Sequence, residues 1–306
     1  MRVIFFGTAE FAVPSLERLA ASRHRVVLCV TQPDRPQGRG LKPEPSPVKQ
    51  AAARLNIPTA QPERLTLEPL GAHEADIGVL AAYGQIVRRD VLDRFPLGMV
   101  GVHPSLLPKY RGAAPVAWAL LNGEPRTGMT IFRMNERLDA GEILAQEPVE
   151  IEPREDAAAL TARLAGLGGE LAVRVLDAAE RGALRPAAQD DGAATYAPKL
   201  SKTQGRIDWN APAAVIERLV RGTAPWPGAA TTWRGEPLKI VRAEAAPGAG
   251  GHAPGTVVQA GPDALVIAAG EGALAVTEVQ PAGRRKQSVR EFLTGHRVNI
   301  GERIGE

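Results

Sequence analysis

Residues Leu97–Pro115 have the sequence LGMVGVHPSLLPKYRGAAP. They begin with the apolar residues of a short strand and then present His103. Pro104 and Pro108 follow, and proline cannot continue a helix because it lacks an amide hydrogen and its ring clashes with the preceding turn. The pattern therefore predicts a strand that ends at His103 and a rigid loop after it, the position at which α/β proteins carry catalytic groups.

A second short stretch, LDAGEIL at Leu138–Leu144, follows the strand-like residues Met129–Met134 and supplies one carboxylate, Asp139. A His and an Asp that follow neighbouring strands can form a general base and its orienting partner. A His at a strand end is more often a structural residue, and on position alone that alternative stays open for His103. The other histidines lie in polar or Gly-containing surroundings without a catalytic pattern: His24, His73, His252 and His296.

The N-terminal residues predict a parallel sheet. Arg2–Phe6 is a mostly apolar strand, a helix follows from Pro14, and Val26–Val30 is a second apolar strand. Continuously apolar strands joined by a helix are typical of parallel sheets covered on both faces. The first turn contains Gly7 but lacks the GxGxxG fingerprint of dinucleotide binding, which argues against a dehydrogenase.

The composition is that of a globular protein, with 44% hydrophobic and 23% charged residues. No apolar run approaches the roughly 20 residues of a membrane span, and the start MRVIFFGTAEF predicts a strand and no signal peptide. Cys29 is the single cysteine, so an internal disulfide is excluded, and its apolar neighbours predict a buried, unreactive thiol. These features fit a reducing cytoplasm, and no Cys and His spacing suggests a metal site.

After Arg181 the composition changes to Gly, Pro and Ala, and short apolar stretches then alternate with Gly and Pro turns. This pattern predicts a linker followed by a small β-barrel. We therefore expect a catalytic domain over residues 1–188, a linker over 189–206 and a C-terminal domain over 207–306. From Lys199 onward 14 Lys and Arg face 10 Asp and Glu, so the basic excess lies in the last third and permits contact with a polyanion.

The segment Thr31–Lys49 contains five prolines and four basic residues against two acidic ones. Its composition fits a mobile surface loop. It also fits a basic arm that becomes ordered against phosphates when a nucleic acid docks. Both interpretations stay open at this point.

Taken together, these stretches resemble the methionyl-tRNA formyltransferase family. The resemblance covers nearly the whole chain, and the matching stretches keep the order and spacing of the family. They are FFGTAEFAVPSL (Phe5–Leu16), TQPDRPQGRG (Thr31–Gly40), AAYGQI (Ala81–Ile86), HPSLLPKYRGAAP (His103–Pro115), LDAGEIL, KLSK (Lys199–Lys202) with RIDW, PWPG (Pro225–Gly228) and QPAGRRK (Gln280–Lys286).

The resemblance implies an α/β N-terminal formyltransferase domain with a doubly wound, mostly parallel sheet, and a small C-terminal OB-like β-barrel domain. It implies 10-formyltetrahydrofolate as formyl donor, initiator methionyl-tRNA as acceptor, no metal, no membrane and a monomer. His103 would be the general acid/base and Asp139 its partner. The folate site would include Ser105, Leu106, Leu107, Pro108, Tyr83 and Gly84. Contacts to tRNA would come from Arg35, Arg39, Lys42, Lys199, Lys202, Arg284, Arg285 and Lys286.

One residue departs from the family pattern, because Gly101 stands where the resemblance implies an Asn two residues before the His. By resemblance that Asn would donate a hydrogen bond to the oxyanion that develops on the formyl group. Loss of one such donor typically costs about 3–4 kcal/mol, or on the order of 10²–10³ in rate. We therefore expect a formyltransferase of reduced activity.

Two alternatives remain beside this interpretation. The first is a folate-dependent formyltransferase that acts on a small amine, such as a sugar nucleotide or glycinamide ribonucleotide. The basic segment around Arg35 and the C-terminal half argue against it. The second is a tRNA-binding protein whose catalysis has lapsed through Gly101.

Overall fold

The computed structural model describes residues 1–37, 42–71, 73–248 and 251–305. Its contacts divide the chain into two compact units. The first unit comprises Met1–Pro115, Arg126–Glu150 and Thr161–Ala197, and the second comprises Val116–Pro125, Ile151–Leu160 and Pro198–Glu306. The predicted domain boundaries at residues 188 and 207 stay a prediction.

Helices and strands alternate through the N-terminal part of the chain. They are β1 Arg2–Gly7, α1 Val13–Ala20, β2 Arg25–Val30, β3 Arg35–Gln37, β4 Lys42–Glu44, α2 Pro47–Arg54, β5 Thr59–Ala60, β6 Ile77–Ala81, α3 Arg89–Leu92, β7 Met99–His103, β8 Arg111–Gly112, α4 Pro115–Leu121, β9 Arg126–Arg133, β10 Ile143–Glu150 and α5 Ala157–Glu180. Short strands dominate the remainder. These elements are β11 Tyr196–Ala197, α6 Ala213–Gly222, β12 Ala229–Trp233, β13 Glu236–Ala246, β14 Val257–Ala260, β15 Leu265–Ala268, β16 Ala273–Pro281, β17 Gln287–Ser288 and α7 Val289–Gly295.

A seven-stranded sheet forms the centre of the first unit, with strand order β10-β9-β7-β6-β1-β2-β5. The strands from β7 to β5 in that order run parallel, whereas β9 and β10 add an antiparallel edge. In β1, Val3–Phe6 has no solvent exposure, because apolar side chains on both faces are covered. Burial of each such side chain stabilises the fold by roughly 1.5–3 kcal/mol. The predicted α/β class with a mostly parallel sheet is confirmed.

Strand β10 has no counterpart among the strands that the sequence predicts. It lies at the edge of the sheet, and its side chains are exposed or half-buried in alternation. Such a strand lacks the continuous apolar run that reveals β1 or β6, and Pro148 weakens the signal further. The edge position explains why a proline is tolerated there.

The second unit is built around an antiparallel sheet with strand order β12-β13-β16-β15-β14, and β17 pairs with β16. The two end strands are joined by the C-terminal residues, because Trp233 forms a bridge with Ile304 and Thr256 forms one with Arg303. An apolar core fills this unit and includes Leu238, Val276 and Phe292 among its buried side chains. The antiparallel sheet agrees with the predicted OB-like barrel. Within the described ranges, no helix combines the length and apolar character needed to cross a membrane.

Candidate active site

The loop after β7 is held by hydrogen bonds between side chains and the main chain. Ser105 Oγ donates to the carbonyl of Lys109 at 2.6 Å, and Thr130 Oγ1 donates to the carbonyl of Ser105 at 2.6 Å. The amide of Leu107 in turn donates to Thr130 Oγ1 at 3.2 Å. Because buried polar groups require partners, this closed set of bonds gives the loop one conformation. The predicted strand ending at His103 is confirmed, and the rigidity of the loop after it stays a prediction.

His103 ends β7 and is buried, with its ring edge-to-face against Phe132 at a centroid distance of 6.4 Å. Its Nε2 lies 2.9 Å from the carbonyl oxygen of Tyr110. A carbonyl oxygen only accepts, so Nε2 carries a proton and donates it. The other nitrogen, Nδ1, is therefore the one that can exchange a proton.

Asp139 lies beside that nitrogen, with 3.7 Å between its Oδ2 and His103 Nδ1. The same oxygen accepts a hydrogen bond from the amide of Gly112 at 2.8 Å. Strand β9 runs antiparallel to β7, and its last residue, Arg133, pairs with Val100. Asp139 therefore reaches His103 through the loop that follows β9, because the two strand ends do not lie at one edge of the sheet.

Gln189, which sequence reasoning missed, bonds to the main chain of the loop that carries Asp139. Its Nε2 donates to the carbonyls of Asp139 and Gly141 at 2.8 and 2.7 Å. Its Oε1 accepts from Nε and Nη2 of Arg111 at 3.1 and 2.8 Å. Arg111 is only 2% exposed, and its Nη2 also donates to Asp191 Oδ1 at 2.8 Å. The polar residues of this segment carried no sequence signal, because they lie in a stretch with the composition of a linker.

The space beside Gly101 is occupied by an aromatic ring. Gly101 pairs with Phe132 across β7 and β9, and an ideal Cβ on Gly101 would come within 2.5 Å of the ring atom Cε1. Phe132 is itself buried. An aromatic side chain that covers a glycine on the neighbouring strand compensates for the missing side chain. The described position thus has no room for a larger residue unless Phe132 moves.

The residues expected to bind folate fall into two groups. Ser105 and Leu107 are buried, with hydrogen bonds to Lys109 in the loop and to Thr130 on β9, while Leu106 and Pro108 are half-buried. Tyr83 packs into the apolar core, and burial raises the pKa of its hydroxyl to about 12. The Tyr83 carbonyl accepts hydrogen bonds from Thr8 Oγ1 and Gln32 Nε2, both at 2.8 Å, whereas its hydroxyl has no partner among the described residues.

Gly84 follows Tyr83 with a φ of +82°, a conformation that suits glycine. An ideal Cβ there would lie 2.5 Å from Gln32 Nε2, so the main chain approaches that side chain closely. The contacts that Tyr83 and Gly84 make with Gln32 therefore involve their main chain and not their side chains.

The residues expected to contact tRNA are solvent-exposed wherever their side chains are described. Arg35 belongs to the first unit, in a hairpin in which β3 pairs with β4. Arg39 lies outside the described residues, and Lys42 begins β4. The exposed cations of the second unit are Lys199, Lys202, Arg284, Arg285 and Lys286. One of them, Arg285, forms an ion pair with Glu291 at 2.8 Å.

A buried thiol and a cluster of potential metal ligands lie outside this site. Burial raises the pKa of the Cys29 thiol to about 12, so the thiol stays protonated, as the sequence predicts. Among the described residues, His24, Asp177 and Glu180 place potential metal ligands within 4.8 Å of one another. Arg23 pairs with both carboxylates at 2.7 and 2.6 Å, so they already have a cationic partner.

Comparison with known proteins gives matches over both units. Residues 1–176 match the family described as formyl transferase, and residues 199–297 match the formyl transferase C-terminal domain. A methionyl-tRNA formyltransferase from Solibacter usitatus is 47% identical over 310 residues, covering 100% of this chain and 99% of that protein. One from Chloroflexus aurantiacus is 47% identical over 312 residues, covering 100% of both chains.

Solved structures share the fold at low sequence identity. An N-formyltransferase from Helicobacter canadensis, in complex with folinic acid and dTDP-3-aminofucose, has a TM-score of 0.69 at 16% identity over 93% of this chain and 99% of its own. HypX from Aquifex aeolicus, in complex with tetrahydrofolic acid, has a TM-score of 0.65 at 19% identity over 96% of this chain and 47% of its own. These likenesses support the architecture described above.

Proposed function

Because the chain belongs to the methionyl-tRNA formyltransferases of the formyl transferase family, we propose that it transfers a formyl group from 10-formyltetrahydrofolate to the free amino group of methionyl-tRNA. The family uses that folate as its one-carbon donor, so this chain is a one-carbon transferase. The observation that carries the proposal is the pairing of His103 Nδ1 with Asp139, held at 3.7 Å at the end of β7.

The reaction requires one proton to move. The neutral amine attacks the formyl carbon, a C–N bond forms, and the bond from the formyl carbon to the folate nitrogen breaks. The amine loses one proton and the departing nitrogen gains one, so atoms and charge balance. Imidazole titrates in the range needed for such a transfer, and we assign the transfer to His103 Nδ1.

The hydrogen bond from Nε2 to the Tyr110 carbonyl supports this assignment. It holds the ring and keeps one proton on Nε2, so we assign the choice of tautomer to the contact with Tyr110. Asp139 then acts on the charged form. Two unit charges about 4 Å apart attract by about 4 kcal/mol at an effective dielectric constant of about 20. The carboxylate thus stabilises the imidazolium that exists while the proton is in transit.

The loop Ser105–Pro108 remains the proposed folate-binding segment. Its buried residues hold the loop, so the half-buried Leu106 and Pro108 are the members with surface to offer a ligand. The donor supplies the formyl carbon when bound. The chain supplies the orientation of His103 and the exclusion of water around its buried ring.

Binding of tRNA is proposed for the exposed cations. Lys199, Lys202 and Arg284–Lys286 belong to one unit and are solvent-exposed, and the family match covers that unit. Lys and Arg neutralise backbone phosphates without reading sequence. Specificity for initiator methionyl-tRNA, a monomeric state and a cytoplasmic location are part of the same proposal.

A reduced rate is also proposed, since Gly101 offers no side chain to an oxyanion and Phe132 covers the position. The main alternative is formylation of a small amine, and the N-formyltransferase that shares the fold is in complex with dTDP-3-aminofucose. The 47% identity over the full chain to methionyl-tRNA formyltransferases favours tRNA.

The test is transfer of labelled formyl from 10-formyltetrahydrofolate to methionyl-tRNA, an amino-sugar nucleotide and glycinamide ribonucleotide in parallel. The proposal expects product only with methionyl-tRNA, and a fall of about 10²–10⁴ in kcat for Asp139→Asn. Product with a small amine instead would support the alternative. Tight tRNA binding without product would identify a binding protein.

A further inference from the structure

Gln189 uses all of its hydrogen-bonding groups to join two parts of the active site. Its two amide hydrogens go to the main-chain carbonyls of Asp139 and Gly141, at 2.8 and 2.7 Å. Its amide oxygen takes two bonds from the guanidinium of Arg111, at 3.1 and 2.8 Å. A side-chain amide has two N–H donors and an oxygen with two lone pairs. All four are used in Gln189, so the amide has one orientation.

The turn that carries Asp139 needs such support. Asp139 has a φ of +47°, in the left-handed region that residues with a side chain rarely adopt and that persists only when the surroundings hold it. Two residues later, an ideal Cβ on Gly141 would collide with the carbonyl oxygen of Arg133, so the backbone passes very close to β9 there. Gln189 bonds to the carbonyl on each side of this turn.

Arg111, which donates to the amide oxygen of Gln189, is next to the groups that contact His103 and Asp139. Arg111 is flanked by Tyr110, whose carbonyl accepts from His103 Nε2, and by Gly112, whose amide donates to Asp139 Oδ2. This short segment is itself anchored, since the amide of Arg111 donates to the carbonyl of Thr195 at 2.9 Å. The side chains of Gln189 and Arg111 together therefore connect the backbone that bears Asp139 with the backbone that contacts His103 and Asp139.

We propose that Gln189 is a positioning residue, which sets the distance between the Asp139 carboxylate and His103 Nδ1. The inference rests on the proposed function of that pair. Gln189 touches neither the reacting atoms nor His103, so its effect acts through the Asp139 turn. A displacement of about 1 Å in a catalytic group can cost on the order of 10²-fold in rate.

A purely structural role is the competing explanation, because Arg111 is buried and needs acceptors. Glutamate separates the two roles. Gln189→Glu keeps the oxygen that accepts both bonds from Arg111, and it replaces the donor to Asp139 and Gly141 with an oxygen that their carbonyls repel. Gln189→Met removes the donor and the acceptor at similar volume.

The experiment measures kcat, both KM values and thermal stability for Gln189→Glu, Gln189→Met and the matched control Gln259→Glu at an exposed position of β14. We expect kcat to fall about 10²-fold in both Gln189 variants, with both KM values within about threefold of wild type. The control is expected to match wild type.

Wild-type kcat in Gln189→Glu would overturn the proposal and leave Gln189 as a partner of Arg111 alone. If Gln189→Met does not fold, the Glu variant decides by itself. Failure of the proposed function looks different, since wild type would then show no transfer to methionyl-tRNA before any variant is made.

Discussion

Gly101 and Phe132 are cross-strand partners, and the Phe132 ring occupies the space that a side chain on Gly101 would enter, 2.5 Å from an ideal Cβ. The same ring stands edge-to-face against His103. Position 101, where the resemblance implies an Asn, and the orientation of the His103 ring are therefore linked through one phenyl ring. We expect Gly101→Asn to displace that ring as well as to add an amide.

Substitutions at Gly101 and Phe132 should have non-additive effects on the free energy of unfolding. We expect Gly101→Asn alone to lower the free energy of unfolding by about 1–3 kcal/mol, because it overpacks a buried site. Phe132→Leu opens that site, so the double variant should be more stable than the sum of the single changes by about 0.5–3 kcal/mol. Urea unfolding of the four proteins gives the coupling. Additive free energies would show that the ring moves aside without cost.

The contribution that an amide at position 101 would make to catalysis is best measured where there is room for it. In the Phe132→Leu background we expect Gly101→Asn to raise kcat by on the order of 10²–10³, the typical value of one oxyanion donor. Single-turnover formyl transfer by Phe132→Leu and by the double variant provides the comparison. Equal rates would mean that another group already stabilises the oxyanion.

The tautomer of His103 follows from its contact with Tyr110. We expect the neutral ring to carry its proton on Nε2, and Nδ1 to be the nitrogen that accepts and releases the transferred proton. Nitrogen-15 NMR distinguishes the two, with His103→Gln identifying the signals. An unprotonated Nε2 signal in the folded protein would contradict the assignment of Nδ1 as the exchanging site.

The exposed cations of the second unit should appear in the salt dependence of tRNA binding. Lys202→Gln is expected to lower the slope of log K against log salt concentration by about 1 if Lys202 neutralises one phosphate. Arg290→Gln is the control, since that exposed guanidinium is 3.0 Å from Asp263 Oδ1. Equal slopes for Lys202→Gln and wild type would remove Lys202 from the interface.

Asp191 should make the protein sensitive to acid. Hydrogen bonds from Arg137, and then from Arg111, hold the pKa of its carboxyl below the ordinary 3.8. A carboxyl with a lowered pKa in the folded state contributes stability that is complete above its unfolded-state pKa and is lost as the pH falls through the folded-state value. Asp191→Asn should therefore be less stable than wild type at neutral pH.

The difference between Asp191→Asn and wild type should shrink as the pH falls below about 3.8. Urea unfolding between neutral pH and about pH 2.5 measures it. A difference that stays constant over that range would show that the charge of Asp191 does not matter to folding.

Local patterns in the sequence determined most of the fold. The apolar runs of β1, β2, β6 and β7 indicated a parallel sheet, because strands buried on both faces need apolar side chains throughout. Two prolines predicted the rigid loop after His103. The antiparallel edge strand β10 was not predicted, since its half-exposed alternation resembles that of a surface segment.

The sequence by itself also named His103 and Asp139, through short motifs that keep their order and spacing. Only the tertiary structure decided how they meet, because β9 runs antiparallel to β7 and the loop beyond it brings Asp139 back to Nδ1. It alone brought Gln189, 50 residues beyond Asp139, onto that loop. Hydrogen bonds between such distant segments depend on the packing of the whole unit, which no local pattern of residues encodes.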